Sequence, residues 1–271
     1  MKYNRAIVRP PGTTFARGVT SSLLGAPDPA LALRQHDRYC EALRRSGLEI
    51  TAIAAEDAFP DGTFEEDAAV VTARGANVTR PGAPTRTGEI DSVSEALRLF
   101  FDELRRIEPP GTVDGGDVCE ADGHFFVGVS ARTNESGAKQ LRTHLEAMGY
   151  SASLVDIRHS RNLLHLKTGI AYIGDGVWVL APGIARDVPA LAGIDPVRRI
   201  EVSADESYAA NCIRVNDDVL LPADHPRMLE ELEHRGFRAV PLDMSEFRKM
   251  DGGLSCLSLR FQAAWPHGSG V

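Results

Sequence analysis

The strongest constraint on the fold is a recurrence. Two short strand patterns, a helix pattern and a third strand pattern return about five times, at intervals of roughly 50 residues. The helix patterns cover 29–45, 92–107, 135–148, 185–192 and 226–235. The first has Asp28 as its cap, Pro29 in its first turn and Gly47 beyond its end. The second opens on Ser92 with a capping box to Glu95 and runs through LRLFFDELRRI. Between them lie RAIVRP, LEITAIA, DAAVVTA, HFFVGVS, ASLVDI, LLHLKTGIAYI, VWVLAP, AANCIRV, VLLPA, RAVPL and LSCLSLRF, all strand-like. No residue pattern repeats with this period, so propensity alone gives α/β or α+β. One domain over 1–262 is expected, with 263–271 as a frayed tail.

Composition removes whole classes of function. The net charge of -8, without any Lys/Arg-rich run, argues against nucleic acid and anionic membranes as partners. The longest apolar runs are strand-sized, and the opening MKYNRAIVRPPG has no signal-peptide core, so a cytoplasmic location is expected. The four cysteines (Cys40, Cys119, Cys212, Cys256) show neither metal-ligand nor disulfide-framework spacing. Cys40 reads as helix-face packing and Cys212 as strand core, whereas Cys119, beside a Gly-Gly turn, could line a pocket.

Four segments carry chemistry-bearing residues, and each has a bland reading. FPDGTFEED places Asp61, Glu65, Glu66 and Asp67 around Phe64, just before an apolar strand. A solvated turn is the ordinary explanation, but carboxylates entering a core need a cationic partner. TVDGGDVCE sets Asp114 and Asp117 on either side of paired glycines that permit close backbone approach. LLHLKT would put Leu163, His165 and Lys167 on one strand face. DGGLSCLSLR places Cys256 in an alternating strand, where a cysteine is usually core unless a nearby cation ionises it. Arg86 and Arg132 sit in loops and, if convergent, would bind a carboxylate.

In their order along the chain, these segments resemble the dimethylarginine dimethylaminohydrolase family, within the guanidine-modifying (pentein) superfamily. The resemblance is carried by IVRPPG, FPDGTFEEDAAVV, TRPGAPTRTGE, GTVDGGDV, FFVGVSARTNESGA, LHLKTGIAY, SYAANCI and MDGGLSCLSLRF, almost end to end. It implies an α/β propeller of five ββαβ units with pseudo-five-fold symmetry around a central pocket. It further implies Cys256 as nucleophile, His165 as catalytic histidine and Asp114 as the acid orienting it. Asp61, Glu66 and Asp67 would grip a guanidinium in a pocket shaped by Phe64, while Arg86 and Arg132 would hold the α-carboxylate. A backbone carbonyl near Val19 would receive the α-amino group from a lid hinged at Gly18, with Asp251 also at the substrate site. The implied partner is a small molecule, a methylated arginine, with no metal or cofactor; a homodimer stays open. The implied reaction yields citrulline and dimethylamine or methylamine. An arginine deiminase-like hydrolase is the neighbouring alternative, and a non-catalytic binder of cationic amino acids is the alternative from another class.

Overall fold

The computed structural model describes residues 2–160 and 163–263, so the expected fraying of 264–271 lies outside the described residues. The described residues form five three-stranded sheets. Each has an antiparallel pair whose second strand is joined through a helical crossover to a third, parallel strand. Ala69–Thr72 pairs antiparallel with Gly75–Val78, which pairs parallel with Leu104–Arg106 across the helix Ile90–Leu97. Val118–Ala121, His124–Val129 and Ser151–Asp156 repeat this across Glu135–Ala147. The next two blades cross over through Ile184–Asp187 with Pro189–Ala192, and through Pro226–His234.

The remaining blade joins the two ends of the chain. Leu259–Phe261 pairs antiparallel with Arg5–Val8, which pairs parallel with Glu49–Ala52 across the helix Pro29–Arg45. Asp28 caps that helix by accepting from the amides of Ala30 and Leu31, as its sequence predicts. The ring of ββαβ blades implied by the family resemblance is therefore present.

Apolar clusters seal blade to blade. Ile7 and Phe261 pack with Val78, Val93 and Leu97, while Val179 and Ile200 pack with Val219 and Leu221. The first strand of every blade contributes to a cavity of about 140 Å³ along the ring axis, through residues such as Val70, Cys119, Ala171, Ile213 and Leu259. Cys212 lines it too, and Cys40 packs in the cluster around the first helix.

Several local expectations are corrected. The helix from Ser92 stops at Leu97, and Leu104–Arg106 is a strand. Phe100 and Phe101 turn instead onto the Phe261 ring, at 5.2 and 5.5 Å between centroids. The expected strand 163–173 is extended only over Ile170–Tyr172; Leu166–Gly169 is a helical turn with His165 as its cap. Leu163, His165 and Lys167 therefore do not share a strand face. Cys256 lies on the 3-10 turn Ser255–Leu257, and strand geometry begins at Leu259. In the last two cases local alternation is overruled by the turn that leads into a blade's first strand.

Phe261 is 1% exposed and holds the closure between the chain ends. Phe261→Ala should lower unfolding free energy by about 3–5 kcal/mol in urea melts. A loss below about 1 kcal/mol would show that ring closure does not depend on this packing.

Candidate active site

The repeat accounts for where the chemical groups meet. A helical turn precedes the first strand of four blades and of the closing strand: Glu65–Ala68, Gly115–Asp117, Leu166–Gly169, Ala204–Ala210 and Ser255–Leu257. These turns, with their flanking residues, supply Asp67, Asp114, His165, Asn211 and Cys256 at one end of the ring. Loops on the second-strand side add Arg86 and Arg132. Val19, Asp61, Phe64, Asp67, Arg86, Asp114, Arg132, His165, Asp251 and Cys256 all line one cavity of about 30 Å³. Of the expected site residues, only Glu66 does not line it.

Glycines allow the close approach. A Cβ on Gly116 would lie 2.8 Å from His165 Nδ1 and 2.9 Å from Asp67 Oδ1. On Gly252 it would lie 2.2 Å from the Phe64 ring, and on Gly253 2.5 Å from the Asn211 amide. The Gly-Gly pairs are therefore spacing devices at the site. Asn211 accepts from the Ser255 amide at 3.0 Å and donates to the Ser255 hydroxyl at 3.2 Å, which fixes the turn carrying Cys256.

His165 Nε2 and Asp114 Oδ2 are hydrogen-bonded at 3.0 Å, and the other Asp114 oxygen accepts from the Gly82 amide at 2.7 Å. Burial pulls the imidazole pKa down, but the charges of Asp67 and Asp117 and the bond to Asp114 outweigh it, raising it to about 9. Burial acts oppositely on the thiol: with the charges of Glu66 and Asp67 adding to it, Cys256 is pushed up to about 12. At neutral pH the empty site thus holds a thiol and an imidazolium.

Asp67 is held down to about 2, against burial, by His165, by Arg86 and by the Gly116 amide. Arg86 donates to Asp67 Oδ2 at 2.5 Å, to Glu89 Oε2 at 2.9 Å and to the carbonyls of Asp61 and Phe64 at 3.3 and 3.1 Å. Arg86, expected with Arg132 at a substrate carboxylate, lines the cavity and is engaged by these groups. The Arg132 side chain makes no ion pair with a described residue, and it is the uncommitted guanidinium facing the cavity. Glu66, expected to grip the guanidinium, has other partners here. It accepts from Lys167 Nζ at 2.6 Å and from the Ser255 hydroxyl at 2.8 Å, and it faces the axial cavity behind the site. Glu66 thus steadies the turn carrying Cys256 and is not among the residues lining the smaller cavity.

A loop closes the front. The Val19 amide donates to both Asp61 oxygens at 3.0 and 3.1 Å. Asp251 Oδ2 accepts from the Thr20 hydroxyl, the Ser21 amide and the Ser21 hydroxyl at 3.1, 2.6 and 3.0 Å. Asp251, expected at the substrate site, therefore lines the cavity and also latches its cover. The cavity is small, about 30 Å³, and this loop lines it through Val19. Asp67, Asp114 and His165 could offer a cation three ligand atoms within 4.8 Å. Arg86, Gly116 and the His165–Asp114 bond already engage those atoms, so the cluster reads as a charge and proton network.

Sequence reasoning missed Asn211, Ser255, Lys167 and Glu89 as supports. Only Asp117 carried a signal, as the second acid of the Asp-Gly-Gly-Asp turn.

A family model described as arginine deiminase matches residues 93–199. The N(G),N(G)-dimethylarginine dimethylaminohydrolase of Pseudomonas aeruginosa is 43% identical over 260 residues, covering 96% of this chain and all of its own length. The protein of the same name from Streptomyces coelicolor is 36% identical over 263 residues, covering 97% and 98%. A solved structure of the Pseudomonas aeruginosa enzyme, a cysteine-to-serine mutant complexed with citrulline, matches with a TM-score of 0.91 at 42% identity, covering 96% of this chain and 100% of that one. The N-terminal domain of a cyanobacterial arginine dihydrolase shares the fold, with a TM-score of 0.84 at 18% identity and coverage of 96% and 97%. With relatives this similar over nearly its whole length, the chain belongs to the N(G),N(G)-dimethylarginine dimethylaminohydrolase family.

Proposed function

We propose that this protein hydrolyses N-ω-methylated arginine to citrulline and dimethylamine or methylamine through a covalent intermediate on Cys256. The observation that carries this reading is the shared cavity. A thiol, an acid-paired imidazole, two carboxylates (Asp61 and Asp67) and an uncommitted arginine all face it. A guanidinium is cationic at neutral pH and planar, with donors that match carboxylates. The zwitterionic end of an amino acid needs a cation for its carboxylate, and Arg132 supplies one. The two relatives named above carry the same activity in their names.

The chemistry then follows from the charges. The incoming cation stabilises the thiolate, and the thiol proton leaves to solvent. The sulfur adds to the guanidinium carbon, giving a tetrahedral adduct. As the C–N bond to the substituted nitrogen breaks, His165 gives its proton to the departing amine. An amidino-thioether remains on Cys256. Neutral His165 next takes a proton from water, whose oxygen adds to the same carbon. The C–S bond breaks as the adduct's hydroxyl proton passes to solvent, and citrulline leaves with the thiolate restored. Asp114 holds the imidazole and favours its charged form. The four cysteines are free thiols, which supports a reducing, cytoplasmic setting.

Incubation with asymmetric dimethylarginine should release citrulline and dimethylamine in equal amounts, with plain arginine turned over less efficiently. Cys256→Ser should stay folded and lose at least roughly 10³-fold in turnover. Near-normal citrulline from that variant would refute the nucleophile assignment, and a preference for plain arginine would favour the deiminase-like alternative.

The pH dependence follows from the two shifts. The reactive form has lost one proton relative to the resting thiol–imidazolium pair, and the first proton leaves at about 9. With the guanidinium charged throughout, kcat/KM should climb about tenfold per pH unit towards that value and level off there. A profile already flat below neutral pH would contradict this charge arrangement.

A further inference from the structure

We propose that Asp117 is a positioning residue whose two carboxylate oxygens separately brace the turn carrying His165 and the turn carrying Arg132. The residue is fully buried and lies outside the group lining the catalytic cavity. Its Oδ1 accepts from the amide of Leu166, the residue next to His165, at 3.0 Å. Its Oδ2 accepts from the Ser130 hydroxyl at 2.6 Å. That hydroxyl in turn accepts from the amides of Arg132 and Thr133 at 2.9 and 3.0 Å. The Thr133 hydroxyl then accepts from the Asp114 amide at 3.1 Å.

One carboxylate thus fixes the imidazole segment, the arginine segment and the backbone of the acid that orients the imidazole. Gly128 leaves the space for it, since a Cβ there would lie 3.2 Å from Asp117 Oδ1 and 3.3 Å from Leu166 Cβ. Asparagine cannot replace it. Its amide oxygen could keep the Leu166 bond, but its NH₂ would face a hydroxyl that already accepts two N–H groups and needs an acceptor for its own proton. The charge also matters at His165, which senses Asp67, Asp114 and Asp117 as carboxylates; Asp61, Arg86, Arg132, Asp251 and Cys256 are the other ionisable groups lining the cavity.

This inference deepens the reading of the site as a methylarginine hydrolase, and its test separates the two. Ser130→Ala removes the Arg132 brace and leaves the Asp117 charge in place. It should raise KM for asymmetric dimethylarginine about tenfold, with kcat little changed and the kcat/KM acid limb unmoved. Asp117→Asn should raise KM similarly, and should also move the His165 imidazole titration, followed by NMR without substrate, about one pH unit lower. Unchanged KM in Ser130→Ala, or an unmoved imidazole titration in folded Asp117→Asn, would overturn the proposal. Should Asp117→Asn fail to fold, KM of Ser130→Ala decides. If wild type makes no citrulline, the substrate reading fails while the NMR titration still tests the brace.

Discussion

A thiol buried among carboxylates cannot be charged until a cation joins it, and the rest of the site depends on that constraint. Cys256 feels burial first and then the charges of Glu66 and Asp67, which together push it up to about 12. Asp67, together with Asp114 and Asp117, also holds His165 charged. The thiol is therefore held in its neutral form, and a guanidinium between sulfur and acids would favour the charged one. A unit positive charge about 4 Å from the sulfur is worth about 4 kcal/mol at an effective dielectric of about 20, or roughly three pKa units. That shift would offset most of the push from burial and the acids, so a bound guanidinium would favour the thiolate form of Cys256.

The fold answers the problem of assembling such a site from positions spread along most of the chain. Each blade's first strand faces the axis, and the turn before it ends at the same rim. Asp67, Asp114, His165 and Cys256 are far apart in sequence but occupy similar places in successive repeats. Asp117 then ties two neighbouring segments together through one buried carboxylate. The buried ion pairs at and around the pocket do comparable work: Arg9 with Glu65, and Arg86 with Asp67 and Glu89. Burial raises Glu65 and Glu89 to about 7 even with the arginines pulling them down, so near neutrality this layer is only partly charged.

The blade period and the capped helices were legible because they rest on strong local signals: Asp28 with Pro29, the 226–235 pattern, and alternation in HFFVGV. The site turns were not. LLHLKT and LSCLSL alternate like strands, yet the first is capped through Thr168 and the second bends so that Ser255 can reach Asn211 and Glu66. Those partners lie 44 and 189 residues away in sequence, beyond the reach of any local pattern. The orientation of Glu66 and the capture of Arg86 by Asp67 and Glu89 were hidden for the same reason. Residue type and order identified which groups meet, while only the packed ring decides which way each one faces.

The central claim concerns the sulfur, and a direct titration reaches it. Thiolate ultraviolet absorbance can be followed against pH as wild type minus Cys256→Ser, first alone and then with a saturating cationic amidine that is not turned over. Without ligand, thiolate should be scarce through the range where an ordinary thiol of pKa about 8.5 ionises, and the cation should bring it in at markedly lower pH. Thiolate already abundant at neutral pH in the empty enzyme, or a titration that the cation leaves unmoved, would contradict the account.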